Sequence, residues 1–233
     1  MEYYYTPKHY ISSATLTIVD DEAKHLGRVL RKQQGEEIFV TDGEGSVYRC
    51  KINTMAKELI DCSIIEKLNS PNEPKIKVNL YQSLIKNPDR FEFAIEKAVE
   101  LGVHTVHPVV TEHVINKTTN KTERWQSIAL AAMKQSQRCV LPKISEPVNF
   151  ADALVSSKSE LKLIADEKEN ASRISIADIK DSPGTIDIFI GPEGGFTANE
   201  AELAVSQGFK ILTLGARKFR SETAAIYTIS KLL

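Results

Sequence analysis

Hydrophobic and polar positions follow a regular pattern through the last two thirds of the chain. Short apolar runs bounded by turn residues are typical of buried strands. We expect five of them, over residues 76–81, 103–110, 161–165, 186–190 and 210–214. Apolar residues at helical spacing predict a helix capped by Asn87, with Pro88 at its first position and Gly102 at its end. A second helix is predicted over residues 123–138. Strands that alternate with helices predict an α/β fold with a parallel sheet.

The first third of the chain has the pattern of a small β domain. Residues 37–41 and 46–52 flank a glycine-containing turn at 42–45, which is a strong hairpin signal, and residues 58–65 form another strand pattern. Several short strands joined by turns indicate a small barrel. One predicted helix, from residue 20 to about residue 32, interrupts these strands.

A polar stretch with two prolines, residues 69–74, is the best candidate for a linker. We place the domain boundary near residue 72. The expected domains are therefore a β-barrel domain over residues 1–72 and an α/β domain over residues 73–233.

Composition narrows the possible classes of protein. The 233 residues carry a formal net charge of −1, so there is no overall basic footprint and any nucleic-acid surface must be local. The three cysteines have no paired spacing, which predicts reduced, buried thiols. Without an apolar leader or a run long enough to cross a membrane, we expect a cytoplasmic protein with no membrane association.

Two glycine-marked loops carry the candidate chemistry. The strand at 186–190 runs into a glycine turn at 191–195, and Thr197 with Glu200 forms a capping box that opens a helix. The strand at 210–214 is followed by a loop and then by Ser221, the predicted N-cap of the last helix. Both loops are expected at the carboxyl ends of neighbouring strands, where open α/β sheets bind ligands.

The loops lack the common nucleotide-binding motifs. Neither Gly-x-Gly-x-x-Gly nor Gly-x-x-x-x-Gly-Lys-Ser/Thr is present, which weakens the case for a phosphate cradle. Glycine lets a ligand approach the backbone closely, so a ligand held by main-chain groups, such as an adenosine, fits better. On glycine content alone, a tight turn without any ligand remains an equal alternative.

Three motifs resemble a known family. Ile-Gly-Pro-Glu-Gly-Gly at 190–195 and Leu-Gly-x-Arg-x-x-Arg-x-Glu-Thr-Ala at 214–224 closely resemble the RsmE family of SPOUT methyltransferases. His25-Leu-x-x-Val-Leu-Arg31 resembles a motif of that family's N-terminal barrel. The resemblance implies an N-terminal PUA-like β-barrel that binds RNA and a C-terminal SPOUT α/β domain with a trefoil knot.

The same resemblance implies an activity and its partners. Members of the RsmE family methylate N3 of a uridine in 16S ribosomal RNA and use S-adenosylmethionine as cofactor. The expected partners are the 16S RNA, within the small ribosomal subunit or its late precursor, and a second copy of the chain in a homodimer. A tRNA or ribose 2′-O methyltransferase with the same knot is one alternative. A non-catalytic RNA-binding assembly factor is the other.

The resemblance and the loops together give the candidate site residues. The expected cofactor contacts are Leu163, Ala165, Gly191, Pro192, Glu193, Gly194, Gly195, Leu214, Gly215, Arg217, Phe219, Thr223 and Ala224. The expected catalytic residues are Arg217, Arg220, Glu193 and Glu222, with the arginines facing substrate phosphate or uracil carbonyl groups. The general base stays open between Glu193, Glu222 and water.

The expected RNA contacts lie elsewhere in the chain. They are Arg28 and Arg31, which would share one face of the first helix, and Lys86, Lys97, Gln135 and Arg138. No metal is expected, because His104 and His107 lie three apart on a strand and would face opposite sides.

Overall fold

The computed structural model describes residues 2–115, 120–167, 173–179 and 183–233. The chain divides into two compact units. One contains residues 1–73 together with residues 131–141, and the other contains residues 74–130 and 142–233. The segment 131–141 thus folds with the N-terminal residues, whereas a single cut near residue 72 would assign it to the second domain.

The N-terminal unit is a curled five-stranded sheet. Its strands are β1 (Tyr3–Tyr5), β2 (Thr15–Val19), β3 (Glu37–Thr41), β4 (Ser46–Met55) and β5 (Leu59–Asn69), and a single helical turn covers Lys8–Tyr10. The spatial order is β1-β3-β4-β5-β2, and only the β1–β3 pair is parallel. The register between β4 and β5 shifts at two places, and such bulges increase the local twist. The predicted hairpin and the small β domain are confirmed.

The helix in this unit is shorter than predicted. It consists of α1 (Asp20–Lys24) and a wider π-type turn over His25–Val29, in which the Leu30 amide donates to the His25 carbonyl. Arg31 has a φ of 53°, in the left-handed region that ends a helix. The expectation that Arg28 and Arg31 share a helical face is therefore wrong, because Arg31 lies beyond the helix.

The second unit is built on a seven-stranded parallel sheet. Its strands are β6 (Lys77–Ser83), β7 (Thr105–Val110), β8 (Lys143–Ile144), β9 (Val148–Asn149), β10 (Leu161–Ala165), β11 (Thr185–Ile190) and β12 (Lys210–Leu212). The order is β12-β10-β11-β6-β7-β8, and β9 also pairs with β7. All the named pairs are parallel, which confirms the predicted sheet.

Five longer helices accompany this sheet. They are α2 (Pro88–Leu101), α3 (Thr122–Gln135), α4 (Phe150–Ser156), α5 (Ala198–Ser206) and α6 (Ser221–Leu232), with a 3₁₀ turn at Ile176–Asp178. Helix α2 begins and ends as predicted, since the Asn87 side chain accepts the Asp89 amide and Gly102 has a φ of 108°. Helix α3 ends three residues before the predicted limit, and Gln137 follows in the left-handed region. No helix within the described ranges has the length and apolar character needed to cross a membrane.

The core of the second unit is aromatic near its centre. Tyr81 on β6 stacks on Phe189 of β11 at 4.2 Å between ring centroids, and Phe150 and Phe209 meet Phe189 edge-on. Helices α4 and α5 contribute to this cluster, while α2 packs on α6. Rigid packing beneath β6 and β11 fixes the carboxyl ends of both strands, where the glycine loop begins.

Candidate functional site

The first glycine loop joins β11 to α5. Thr197 and Glu200 close the predicted capping box: the Thr197 hydroxyl accepts the Glu200 amide at 3.2 Å and a Glu200 carboxylate oxygen accepts the Thr197 amide at 2.9 Å. Gly195 has a φ of 68°, which favours glycine. At Gly191 a Cβ atom would lie 3.2 Å from the Gly195 Cα, so the two ends of the turn approach closely and would crowd a side chain at this position.

The second loop joins β12 to α6, and here the predicted cap is wrong. Arg220 occupies the N-cap position and makes no side-chain cap, while Ser221 is already helical. The Ser221 hydroxyl instead donates to the Gly191 carbonyl at 2.5 Å and accepts from Gln82 Nε2 at 2.8 Å. Its hydrogen bonds therefore tie the second loop to the first.

A cavity of about 290 Å³ opens between these loops at the carboxyl ends of β10, β11 and β12. The predicted cofactor residues that line it are Ala165, Gly191, Pro192, Glu193, Gly195, Leu214, Gly215, Arg217, Phe219 and Ala224. Arg220, predicted as catalytic, lines it as well. The volume is at the lower end of the range for small-molecule sites.

Three predicted cofactor residues lie outside the cavity lining. Leu163 is completely buried within β10, and Thr223 is exposed on the first turn of α6. Gly194 lies against the ring of His113, whose Nδ1 is 3.0 Å from the Gly195 carbonyl oxygen. The motifs in the sequence therefore identified the loops, but they did not show which residues of each loop line the cavity.

Other lining residues were not among the predicted site residues. They are Asp166, Glu167, Ile190, Thr213, Lys218 and Ser221. Asp166 and Glu167 directly follow the predicted strand at 161–165, so the rule that ligands bind beyond strand ends could have found them. Lys218 forms an exposed ion pair with Glu167 at 2.6 Å across the cavity rim.

Two arginines give the cavity mouth a positive charge. The side chains of Arg217 and Arg220 are both exposed. Among the described residues, neither has a carboxylate oxygen within 4 Å. Because a guanidinium matches phosphate and carbonyl oxygens well, both groups can receive an anionic polymer.

The two candidate carboxylates have different surroundings. Glu193 lines the cavity, and its carboxylate accepts the backbone amide of Lys86 at 3.2 Å. Glu222 is buried and is not part of the lining, and its Oε1 lies 3.8 Å from Arg90 Nε. The structure therefore brings Glu193, but not Glu222, into the cavity lining.

The residues predicted to contact RNA differ in exposure and in whether their charge is already paired within the protein. Arg28, Arg31 and Lys86 are exposed, as is Gln135 at the end of α3. Lys97 donates to Glu100 at 2.8 Å and to Glu96 at 2.7 Å, and these hydrogen bonds raise the pKa of Lys97. Its charge is thus balanced within α2, which does not favour RNA contact.

Arg138, predicted to contact RNA, is buried in the structure. It is 3% exposed and forms an ion pair with Glu73 at 2.7 Å, within the N-terminal unit. Glu73 also accepts the amides of Cys139 and Val140. A guanidinium that is buried and paired with a carboxylate is poorly placed to bind phosphate, so the structure does not favour the expected RNA contact at Arg138.

No metal centre is found within the described ranges, since they contain no cluster of three or more metal-binding side chains. His107 contacts the hydroxyls of Thr105 and Ser145 and stacks on Tyr81, and burial lowers its pKa. All three cysteines are free and buried as predicted, and burial raises the pKa of Cys50 to about 12.

A parallel sheet whose glycine loops enclose a cavity at the strand ends, with arginines lining it, is a ligand site of the kind that α/β proteins form. Two family models identify the class as that of the RNA methyltransferases. Residues 71–233 match the model of an RNA methyltransferase domain, and residues 18–65 match that of an RNA methyltransferase PUA domain. The chain is 34% identical over 221 residues to ribosomal RNA small subunit methyltransferase E of Aquifex aeolicus (strain VF5), covering 94% of this chain and 93% of the relative.

Two further relatives agree. The methyltransferase of the same name from Mesomycoplasma hyopneumoniae (strain 232) is 42% identical over 175 residues, covering 73% of this chain and 75% of the relative. A crystal structure of ribosomal RNA small subunit methyltransferase E from Neisseria gonorrhoeae, bound to S-adenosyl methionine, matches with a TM-score of 0.89 at 32% identity, covering 99% of this chain and 95% of the other. The chain belongs to the ribosomal RNA small subunit methyltransferase E family.

Proposed function

We propose that this chain transfers the methyl group of S-adenosylmethionine to N3 of a uridine in 16S ribosomal RNA of the small subunit. The observation that carries the proposal is the cavity between the two glycine loops. It lies at the sheet edge where α/β proteins bind ligands, and most of its lining comes from the two motifs at 190–195 and 214–224 that resemble the family. The Neisseria gonorrhoeae relative supports it, because that structure holds S-adenosyl methionine.

The cavity residues fit such a cofactor. A Cβ atom at Gly195 or Gly215 would meet no protein atom within 4 Å, so both glycines leave open space beside the backbone. Ile190, Leu214 and Phe219 supply apolar walls of the kind that contact an adenine ring. When bound, the sulfonium supplies an electrophilic methyl group, and the uridine N3–H must lose its proton as the new N–C bond forms.

The protein's own part is mainly positioning. Arg217 and Arg220 hold the phosphate or carbonyl oxygens of the target nucleotide at the cavity mouth. The exposed Lys86, whose backbone amide contacts Glu193, adds a further positive charge on the same side. The N3 edge is paired in a duplex, so the target uridine must be unpaired or turned out of its stack.

Glu193 is the protein carboxylate that we assign to proton transfer, with water as the alternative acceptor. It lines the cavity and is exposed, whereas Glu222 is buried and does not line it. Glu193→Gln keeps the size and the acceptor for the Lys86 amide but removes the basic oxygen pair. We expect the variant to bind cofactor normally and to lose methyl transfer by roughly 10²-fold or more. Unchanged transfer would favour water as the acceptor.

The N-terminal unit, predicted as a PUA-like RNA-binding domain, would supply further contacts to the RNA. Arg28 and Arg31 are exposed there and have no carboxylate within 4 Å among the described residues. Two such groups can each replace a counterion on a phosphate. The remaining parts of the proposal, a trefoil knot in the second unit, a homodimer and a cytoplasmic location, rest on the family resemblance. Sedimentation at micromolar concentration tests the dimer.

The experiment uses purified chain, isotope-labelled S-adenosylmethionine and small ribosomal subunits from cells that lack this modification. We expect label in 16S RNA, and mass analysis of the nucleosides should give 3-methyluridine. Label on ribose, or label in tRNA supplied as a second substrate in a parallel reaction, would support a different knotted methyltransferase. Cofactor binding without any transfer would support the non-catalytic assembly factor.

A further inference from the structure

A buried chain of hydrogen bonds links three elements behind the cavity. Gln82 Nε2 donates to the Ser221 hydroxyl at 2.8 Å, and that hydroxyl donates to the Gly191 carbonyl at 2.5 Å. Gln82 lies near the carboxyl end of β6, and its register partner on β11 is Ile190, the residue before the glycine loop. The chain therefore connects β6, the start of the glycine loop and the first residue of α6.

The direction of each bond is fixed by chemistry. The carbonyl oxygens of Gly191 and Ser83 can only accept, so the Ser221 proton points to Gly191, and Gln82 presents its amide nitrogen both to Ser83 and to Ser221. Reversing the Gln82 amide would place two acceptors together. The network thus has one arrangement, in which the position of the Gly191 carbonyl is set from β6 through Ser221.

Both side chains are removed from water. Gln82 is 0% exposed and Ser221 is 5% exposed. In such surroundings a hydrogen bond is stronger than at the surface, and its loss leaves a buried group without a partner. Ser221 also lines the cavity, whereas Gln82 does not, so the hydrogen bond to Ser221 is the contact by which the Gln82 side chain acts on the cavity lining.

We propose that Ser221 and Gln82 are positioning residues for the cofactor: they hold the Gly191 carbonyl and the second loop in the geometry that binds it. This inference rests on the proposed cofactor site. It explains why a serine at the first turn of α6 does not cap its own helix, since its hydroxyl is used between the two loops. A purely structural role would instead lower stability without a specific effect on the cofactor.

Thr228 provides the matched control. It lies about two turns further along α6, is fully buried, and donates its hydroxyl to the Ala224 carbonyl at 2.7 Å. Thr228→Val and Ser221→Ala each remove one buried hydroxyl that binds a backbone carbonyl in or beside α6. Only Ser221 joins the two loops, so only its variant should change the affinity for cofactor.

The test measures the Kd of S-adenosylmethionine by calorimetry and the thermal midpoint of each full-length variant. We expect Ser221→Ala to raise the Kd roughly tenfold, which equals about 1.4 kcal/mol, and Thr228→Val to leave it unchanged at a similar loss of thermal stability. In methyl transfer, the KM for cofactor should rise more than kcat falls, and the KM for RNA should not move. Wild-type affinity in a folded Ser221→Ala variant would overturn the inference.

A second variant keeps the test decisive if Ser221→Ala fails to fold. Gln82→Met preserves chain length but removes the donor to Ser221, and we expect a smaller rise in Kd, roughly threefold. Where both single variants fold, the double variant should bind cofactor no more weakly than Ser221→Ala, because Gln82 acts through Ser221. An unchanged Kd for S-adenosylmethionine in Gln82→Met would show that the hydrogen bond from Gln82 to Ser221 does not contribute to cofactor binding. Failure of the wild-type protein itself to bind cofactor would refute the proposed function instead.

Discussion

Substitution of Gly195 by valine tests the cavity directly. Gly195 lines the cavity and has a φ of 68°. A Cβ atom built there meets no protein atom within 4 Å, so the valine side chain takes up open space at the cavity and not space inside the core. The variant should therefore fold but lose room for its ligand.

Two magnitudes follow from this geometry. A side chain in the left-handed region costs about 1–2 kcal/mol, which lowers the melting temperature of a domain of this size by about 2–8 °C. Steric overlap with a ligand is comparable to overpacking, which costs about 1–3 kcal/mol in a core that can still adjust. That range corresponds to a rise of roughly five- to 150-fold in the Kd of S-adenosylmethionine.

Gly208 separates these two effects. Its φ is 86°, a Cβ atom there also meets nothing within 4 Å, and it lies before β12, away from the cavity lining. Gly208→Val should show the same backbone strain and a similar drop in melting temperature. Calorimetry should give it the Kd of the wild-type protein, whereas Gly195→Val should bind weakly or not at all.

The reasoning would be refuted by equal cofactor affinity in the two folded valine variants. That result would mean that the ligand does not occupy the space beside Gly195. Open space around the Cβ atom at Gly195 predicts only backbone strain. A large loss of stability confined to Gly195→Val would therefore mean that the valine side chain clashes with the protein itself.

Three further predictions address other parts of the chain. Glu73→Ala should destabilise the protein by about 3–5 kcal/mol in denaturant unfolding, since it leaves the buried Arg138 charge without this carboxylate; a loss below about 1 kcal/mol would mean that the pair is effectively solvated. Burial lowers the pKa of His107, so the unfolded chain takes up a proton that the folded chain refuses, and the free energy of unfolding should fall as pH falls below about 6.5. His107→Gln should flatten that dependence, and an unchanged pH profile would contradict it. A double alanine variant of Arg28 and Arg31 should bind RNA with a salt dependence shallower by about 1.4 in log–log slope, and an unaltered slope would show that this surface does not contact phosphate.

Local sequence patterns determined the elements that position the site. The strand at 185–190, the capping box of Thr197 and Glu200, and the helix between Asn87 and Gly102 all depend on residues a few positions apart. Such patterns are readable because side-chain spacing and capping act over one or two turns of backbone. The carboxyl-end rule then placed both glycine loops at one edge of the sheet, and the cavity lies there.

Local sequence patterns could not predict which groups the individual side chains contact. The sequence shows that Ser221, Arg138 and Lys97 need hydrogen-bonding or charged partners, but not which groups supply them. Ser221 meets Gln82, 139 positions away, and Arg138 meets Glu73, 65 positions away. Lys97 had its partners within the same helix, yet the choice between carboxylate and RNA depends on rotamers that spacing does not fix.

The sequence by itself determined an α/β domain with two glycine loops after a small β domain, because periodicity, turns and caps are local properties of the chain. Tertiary structure decided the strand order β12-β10-β11-β6, the grouping of residues 131–141 with the N-terminal unit, and the exclusion of Leu163, Gly194 and Thr223 from the cavity lining. These features arise from packing between segments that are distant in sequence. Their free energy depends on which surfaces meet, and no local pattern encodes that choice.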